Sequence, residues 1–334
     1  MTKINGKEEY NFSSNEIEQN IHKLSQLGIT EFSIHDEEIA KNKQKLIKLM
    51  KLFASKAPDV YVSFFVDANV IDKELIQAAS QVFCSLDIPL KASQKGDKVL
   101  FDKKFYAKKA ALLNNSALVF GFILDYAILP NDTLKLFLER LDFAIEQYPN
   151  HIDFPQTQDS SQSATAKVTG LFSAKDIRYA RDVSFACRTF YSSGRAVTWM
   201  NSLLQPLRIH PSKFFSDFAE WQRCNNCDFK SGFVPESQNH QEIEKMQLLF
   251  LEQKFEEKNH FELIPLINDI VKLNGAMSRL IAENVESKIN TMYHPDDIFG
   301  PESLDILSFH ENVCQQPCQV QLKIENNDIK INVL

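Results

Sequence analysis

The sequence predicts an α/β fold in its first half and a mainly helical arrangement in its second half. Segments with helical and strand-like apolar spacing alternate between residues 12 and 156, and a polar segment rich in Ser, Thr and Gln interrupts them at residues 157–170. Helical spacing dominates from there to residue 318, and residues 319–334 show the alternation of a β-hairpin. We therefore expect a first domain at residues 1–156, a linker at 157–170, a helical domain at 171–318 and a carboxyl-terminal hairpin at 319–334.

The first predicted helix begins at Ser13 or Ser14, whose hydroxyl can cap free backbone amides, and it ends at Gly28. A short strand follows at residues 30–34. The pattern then repeats, with helices at 44–53, 72–80, 103–113 and 132–147 and strands at 60–66, 82–90, 117–124 and 151–154. Five strands separated by helices predict a parallel sheet or barrel.

One strand of this set is apolar throughout. Residues 117–124 read ALVFGFIL, which is the composition that burial on both faces of a parallel sheet requires. We therefore expect this strand to be covered on both sides.

Ligands of parallel sheets and barrels bind at the carboxyl ends of the strands. The polar residues that follow the predicted strands are therefore candidate binding residues, and the alternative for each of them is a solvated strand end. The residues at these strand ends are His35, Asp36, Asp67, Lys91, Ser93, Asp125, Asp153 and Gln156. Of these, the candidates for binding a cofactor are Asp36, Asp67, Lys91, Ser93, Asp125 and Gln156.

Three stretches of the first domain resemble the radical S-adenosylmethionine superfamily, especially its cobalamin-associated and methylthiotransferase-like branches. SSNEIEQNIHKLSQLGITEFSIHDEEI is similar to the family stretch that follows the cluster loop, and VSFFVDANVIDKELIQAA to the next strand and helix. LVFGFILDYAILPNDTLKLFLERLDFAIE resembles a later strand, turn and helix. The resemblance implies a partial parallel (β/α) barrel of radical S-adenosylmethionine type.

The cysteine loop that defines this superfamily does not occur in the sequence. Its CxxxCxxC motif supplies three thiolates to a four-iron cluster and leaves one iron open for the cofactor. The glycine-rich strand end that meets the methionine moiety is also replaced, by LDIPLKAS at residues 86–93. Because side chains alone cannot deliver the electron that the reaction needs, we do not expect this chain to cleave S-adenosylmethionine on its own.

Three interpretations of function remain open. The chain is a non-catalytic partner of a radical S-adenosylmethionine enzyme, or it is the detached carboxyl-terminal portion of such an enzyme; the partner would then be another protein chain that carries the cluster, and cobalamin is an associated cofactor of that branch. Alternatively, the chain is an independent small-molecule enzyme that uses Asp36, Asp67 and Asp125, with or without a divalent metal.

The second half contains helical spacing at residues 175–191, 196–204, 211–221, 241–255 and 261–286. It also contains two cysteine pairs, Cys224 with Cys227 and Cys314 with Cys318. Four thiolates could hold zinc or an auxiliary iron–sulfur cluster. Because the second pair has CxxxC spacing and lies far from the first in sequence, we favour free thiols and expect the chain alone to bind no cofactor.

The composition limits the partners. A net charge of −7 provides no general attraction for phosphate backbones, so we do not expect a nucleic-acid-binding protein. No window approaches the roughly 20 apolar residues of a membrane span, and the amino terminus has no apolar stretch like that of a signal peptide. We therefore expect a cytoplasmic protein that does not bind membranes.

Overall fold

The computed structural model describes residues 2–4, 7–9, 16, 20–21, 29–157, 166–326 and 328–334. Most of the predicted helix that ends at Gly28, and residues 158–165 of the predicted linker, lie outside these ranges. The chain forms two compact units, Met1–Arg181 and Asp182–Leu334. The division lies downstream of the predicted linker, within the helix at Ala174–Cys187.

The first unit alternates strands and helices along the chain. Its strands are β1 Thr2–Ile4, β2 Lys7–Glu9, β3 Glu31–Ile34, β4 Tyr61–Phe65, β5 Cys84–Pro89, β6 Ser93–Lys95, β7 Lys98–Leu100, β8 Val119–Ile123 and β9 His151–Asp153. Its helices are α1 Glu37–Ala40, α2 Lys43–Lys56, α3 Lys73–Ala79, α4 Lys103–Asn114 and α5 Leu134–Glu146. These confirm the five strands and the four later helices that the sequence predicted here; the hairpin of β6 and β7 was not predicted.

Short polar side chains begin the helices of this unit. Asp36, Asn42, Asp72, Asp102 and Thr133 each accept a hydrogen bond from a backbone N–H in the first turn that follows. Such caps satisfy donors that have no partner within the helix, which is why each helix begins where it does.

Five strands form one parallel sheet in the order β3-β4-β5-β8-β9, so each strand pairs with the next one of the set along the chain. This sequential order is the one that a (β/α) barrel uses. Within the described residues the sheet is open, with β3 and β9 at its edges. The α/β prediction is therefore confirmed, and barrel closure is not.

The two faces of this sheet differ in composition. Phe64, Leu86, Phe120 and Ile152 point to one face and are fully buried, and Phe53 of α2 contacts Phe64 there with ring centroids 6.0 Å apart. The residues between them along each strand point to the other face, where most are polar and several are only half-buried. In β8, residues 120–122 are buried on both faces, whereas Val119 is exposed and Ile123 is half-buried, so the predicted two-sided burial of this strand is confirmed for its middle only. The neighbouring strand β5 is buried at every position except Asp87.

The second unit is mainly helical. Its helices are α6 Ala174–Cys187, which starts in the first unit, α7 Met200–Leu207, α8 Pro211–Cys224, α9 His240–Glu257, α10 Ile264–Glu283, α11 Pro295–Phe299 and α12 Ile306–Asn312. A π-helical turn at Arg188–Ser193 continues α6. Its strands β10 Ser287–Thr291, β11 Cys318–Glu325 and β12 Asp328–Val333 form an antiparallel sheet. The carboxyl-terminal hairpin is confirmed, and the sequence missed its third strand, β10.

Aromatic rings form the core of the second unit. Phe190 of the π-helical turn contacts a group of other rings, with centroids 4.9 to 6.4 Å apart; these are Trp199, Phe214, Phe215, Phe218 and Phe250. Edge-to-face pairs of this kind add to the stabilisation that burial of the rings provides.

No helix among the described residues is both long enough and apolar enough to span a membrane.

Candidate functional site

A histidine and two carboxylates lie together on the polar face of the parallel sheet. The Nε2 atom of His151 lies 3.0 Å from Oδ1 of Asp87 and 3.6 Å from Oδ2 of Asp153. Asp87 belongs to β5 and His151 to β9, so the imidazole reaches across the intervening strand, β8. All three side chains keep part of their surface exposed, with 17% of Asp87 and 26% of His151 accessible. The group is therefore open to a ligand.

A glycine makes this arrangement possible. Gly121 is the residue of β8 that lies between Asp87 and His151, since it pairs with Asp87 on one side and with His151 on the other. A Cβ atom at this position would overlap the imidazole of His151. The glycine within the apolar segment ALVFGFIL therefore provides the space that the histidine ring occupies.

The cluster favours a charged His151. Burial lowers the pKa of His151, but the hydrogen bond to Asp87 and the negative charges of Asp153 and Asp87 outweigh burial and raise the pKa above its ordinary value of 6.5. The protonated imidazole then donates its Nε2–H to Asp87. The three side chains together carry a net negative charge, which suits a ligand that presents a cation or hydrogen-bond donors.

A second histidine near the cluster, His35, has a pKa that is shifted in the opposite direction. His35 follows β3 and its ring lies on that of Phe65, with centroids 4.1 Å apart. Burial lowers the pKa of His35, and the negative charges of Asp87, Glu37 and Asp36 only partly oppose this shift. A neutral imidazole and a charged one therefore both interact with Asp87.

The polar face continues between these histidines. The hydroxyl of Ser85 donates to that of Ser63 at 3.0 Å across β4 and β5. Ser63, Phe65 and Asp87 lie on the same side of the sheet as His151, because residues two apart along a strand share a face. This side thus offers hydroxyl, carboxylate, imidazole and aromatic groups within one surface.

Two of the predicted strand-end residues have local roles. Asp36 accepts hydrogen bonds from the backbone N–H groups of Glu38 and Ile39 and so caps α1. Asp67 accepts from the backbone and the side chain of Asn69 and lies 3.7 Å from Nζ of Lys91. The structure brings Asp67 and Lys91 together as an ion pair beside a turn.

Asp125 is held by a buried arginine. Arg140 of α5 is 1% exposed and donates to Oδ1 of Asp125 at 2.9 Å, to the Asp125 carbonyl at 2.6 Å and to the Leu90 carbonyl at 2.9 Å. The Nη2 atom of Arg140 also lies 3.8 Å from Oδ2 of the buried Asp132. Because a buried guanidinium needs such partners, this group fixes the turns after β5 and β8.

The remaining predicted binding residues lie apart from the cluster. Gln156 donates to the Tyr126 carbonyl at 3.5 Å, and its Oε1 has no hydrogen-bond partner in the described part of the chain. Ser93 is exposed in β6. The six candidate cofactor-binding residues therefore lie outside the cluster, whereas the strand-end residue Asp153 is part of it.

Sequence reasoning did not select Asp87 or His151, because it examined residues after the strands rather than within them. Two features of the sequence indicate the cluster. Polar residues recur at alternate positions, as at Ser63, Ser85 and Asp87, and a glycine lies inside an apolar strand. That period of two indicates a polar sheet face.

Residues 86–93 stand where the resemblance places the glycine-rich strand end that meets the methionine moiety of S-adenosylmethionine. Asp87 in this segment bonds His151, and the backbone N–H of Lys91 donates to the Tyr106 hydroxyl at 2.9 Å. Neither replaces a glycine-rich strand end, so the fit to that cofactor is poor and we assign these residues no step in its chemistry.

The four candidate metal-binding cysteines are all in the second unit. Cys224 and Cys314 are exposed, and Cys227 and Cys318 are half-buried. Cys227 lies against the Asn225 carbonyl, and Cys318 lies 3.3 Å from Oγ1 of Thr291. In the parts of the chain that the structure describes, no three Cys, His, Asp or Glu side chains are grouped as metal ligands. The preference for free thiols over a shared metal site therefore stays a prediction.

Comparison with known proteins gives a distant structural likeness. No protein-family model matches this chain, and no curated protein matches it. Among solved structures, the radical S-adenosylmethionine methyltransferase TsrM from Kitasatospora setae, with cobalamin and a [4Fe-4S] cluster bound, matches with 10% identity and a TM-score of 0.34. The match covers 42% of this chain and 28% of TsrM, so it spans less than a third of that enzyme.

Proposed function

We propose that this chain works with a second protein chain in a radical S-adenosylmethionine enzyme of the cobalamin-associated kind, as its non-catalytic partner or as its detached carboxyl-terminal portion. In this proposal the polar face of the parallel sheet holds a ligand of the assembled enzyme. The observation that carries the proposal is the group of Asp87, His151 and Asp153 on that face.

The arrangement of the sheet supports this proposal. In the proposed assembly these sequentially ordered strands are part of a barrel wall, with apolar residues toward the helices and polar residues toward the ligand. Half-buried Asp87, Ser63 and His151 have hydrogen-bonding capacity that a ligand can use. Covering this face would bury polar groups, so the cover has to supply partners for them.

The edge of the sheet supports a second chain. In the described part of the sheet, β3 pairs with β4 alone, which leaves its other side without a strand neighbour. Natural proteins cover or protect such edges because unpaired backbone groups attract other strands. A partner chain that pairs with β3 would extend the sheet and enclose the polar face.

A second candidate function has its own observation. His35 and His151 have pKa values shifted in opposite directions and share Asp87 as a neighbour. Such a pair can act as general base and general acid in an independent small-molecule enzyme. This candidate now depends on the two histidines, because Asp36, Asp67 and Asp125 are occupied by caps and ion pairs.

Purification from the native cell tests the main proposal. We expect a cluster-bearing chain to co-purify with the tagged protein and to be identified by mass spectrometry, and we expect the pair to consume S-adenosylmethionine when neither chain does so alone. Asp87→Asn should leave the partner bound and reduce consumption more than about tenfold, the usual effect of losing one positioned polar group. Asp59→Asn, at an exposed turn position, is the matched control.

Two results would contradict the proposal. If the chain runs as a monomer and converts a metabolite unaided, with loss of activity in both His151→Gln and His35→Gln, the second candidate is correct. If Asp87→Asn and Asp59→Asn have the same activity in the assembled enzyme, the polar face is not the ligand site.

A further inference from the structure

A small hairpin with a lysine-rich surface lies at the carboxyl end of β5. It consists of β6 and β7, joined by a two-residue turn at Gly96 and Asp97, where Gly96 has a φ of 61°. A positive φ at the first turn position is typical of glycine in hairpins of this length. Loops at this end of a parallel sheet commonly carry function.

The base of the hairpin is fixed to the first unit, whereas its tip is exposed. The Tyr106 hydroxyl accepts from the backbone N–H of Lys91, and the ring of Phe101 lies on that of Tyr106 at 5.2 Å. Every residue from Ser93 to Leu100 except Val99 is exposed. Two-stranded hairpins are marginally stable by themselves in water. Because its side chains are exposed, this tip gains little stability from packing against the rest of the unit.

Like charges lie opposite each other at the tip. Lys95 and Lys98 are directly paired across the two strands, an arrangement that destabilises a hairpin when no anion lies between the two ammonium groups. The following helix, α4, adds Lys103, Lys104 and Lys108, all exposed. No ion pair to any of these five lysines occurs within the described residues.

This surface contrasts with the rest of the chain. Residues 91–109 contain seven lysines and two aspartates, a net charge of 7 − 2 = +5, in a protein whose overall net charge is −7. One of those aspartates, Asp102, caps α4 and accepts the backbone N–H of Phe105. The positive charge is therefore concentrated at one loop and the helix start beside it.

We infer that the lysine surface, residues 93–108, docks an acidic segment of a partner protein. The inference rests on the proposed function, since it assigns a contact surface for the second chain. Complementary charges of this kind increase the association rate and orient the partner, and carboxylates between Lys95 and Lys98 would relieve their repulsion.

A nucleic acid fits this surface less well. Proteins that bind single strands use aromatic faces as stacking platforms for bases. Here Phe101 packs on Tyr106 and on Phe143, and Phe105 packs on Tyr106 with Lys109 over its ring. No arginine, the side chain that most often reads bases and phosphates in pairs of hydrogen bonds, occurs between residues 91 and 109.

A labelled peptide tests the surface on the full-length protein. We expect a peptide of about ten glutamates to bind in fluorescence anisotropy at low salt and to dissociate at about 0.5 M NaCl, where exposed charges are screened. The double variant Lys95→Ala, Lys98→Ala should bind it about tenfold more weakly, as expected for the loss of two exposed ion pairs. The control Lys45→Ala, Lys51→Ala removes the same charge from exposed positions of α2 and should bind as the wild type does.

Two further measurements complete the test. Bound peptide should protect Lys95 and Lys98 from acetylation more than Lys45 and Lys51, which requires no variant. A single-stranded RNA of equal charge should bind no more tightly than the peptide. Equal peptide binding by the two double variants, or tighter binding of the RNA than of the peptide, overturns the inference.

The partner assay separates this inference from the proposed function. If the cluster-bearing chain co-purifies equally with the wild type and with Lys95→Ala, Lys98→Ala, the docking inference fails and the proposed function stands. If no such chain co-purifies with the wild type, the proposed function fails whatever the peptide does.

Discussion

Gly121→Ala tests the geometry of the histidine–carboxylate cluster with one methyl group. The added Cβ would overlap the imidazole of His151, so the ring has to leave Asp87 or β8 has to shift. The side chain of His151 sits at the sheet surface with 26% of its area exposed, so we expect the ring to move. The variant thereby breaks the contact between His151 and Asp87 without replacing either residue.

The expected cost follows from the contact that is lost. A hydrogen bond to a charged group contributes about 1.5–3 kcal/mol, and overpacking adds about 1–3 kcal/mol when nothing can move. Because the ring is free to move and water reaches both partners, the two costs do not add in full. We expect the free energy of unfolding of the first unit to fall by about 2 kcal/mol.

The loss should depend on pH. The folded-state pKa of His151 is raised above 6.5, so the contact with Asp87 stabilises the protein below pH 6.5, and this stability is lost as pH rises through the raised value. Gly121→Ala should therefore cost more at about pH 5.5 than at about pH 9, where only the steric part remains. The same variant should lower the pKa of His151 toward its ordinary value.

Urea unfolding measures these effects. Far-ultraviolet circular dichroism follows both units, whereas both tryptophans of the chain, Trp199 and Trp221, lie in the second unit, and their fluorescence should not change. The histidine pKa is read by NMR titration. Gly170→Ala is the control, since a Cβ there meets nothing within 4 Å. The reasoning is refuted if Gly121→Ala is as stable as Gly170→Ala at both pH values and the His151 titration is unmoved.

Three other outcomes follow from the second unit. Phe190→Ala should lower its unfolding free energy by about 4 kcal/mol in tryptophan-monitored urea titrations, because this ring is fully buried among others, whereas Phe261→Ala, 57% exposed, should cost under about 1 kcal/mol. Burial, with the charges of Arg195 and Arg279, lowers the pKa of His240 from 6.5 to about 4. Acidification through this range should therefore lower the free energy of unfolding by about 3 kcal/mol. His240→Gln should not show this loss, because glutamine does not titrate. Elemental analysis should find zinc and iron at less than one atom per chain; a stoichiometric metal that Cys224→Ser removes would contradict this.

The strands of the first unit were predictable because apolar residues recur there at every second position. Val62 and Phe64 pack against helices, and the polar residue between them, Ser63, faces the other way. The same alternation contained the information about the polar face. The polar face was overlooked because the strand at residues 117–124 has no polar side chain. The role of its glycine depends on a histidine that is distant in sequence.

The candidate site was less predictable, since its parts come from three strands. Asp87 and His151 are 64 positions apart, and neither lies in a motif. Their contact depends on the register of β5, β8 and β9, which no local pattern specifies. The strand-end carboxylates were easier to find, but Asp36 and Asp125 proved to serve helix capping and the buried Arg140.

The missed strand β10 has a similar explanation. The apolar spacing of α10 predicts a helix that extends to residue 286, whereas the helix ends at Glu283, and Asn284 lies in the left-handed region at φ 56°. Asparagine is among the few residues that adopt this conformation at low cost. The hairpin of β11 and β12 was recognisable because Asn326 and Asp328 interrupt its alternation; β10 pairs with β11 from much earlier in the chain.

The sequential order of the parallel sheet also bears on how such a protein evolves. Each strand finds its neighbour in the next strand of the sheet along the chain, as Glu31 does with Tyr61 and Gly121 with His151. Gain or loss of one strand–helix step at an edge would therefore leave the internal registers unchanged, whereas in a sheet with interleaved order it would separate established neighbours. A lineage can shorten this sheet from the β3 edge, or lengthen it at either edge, and keep the cluster that spans β5, β8 and β9.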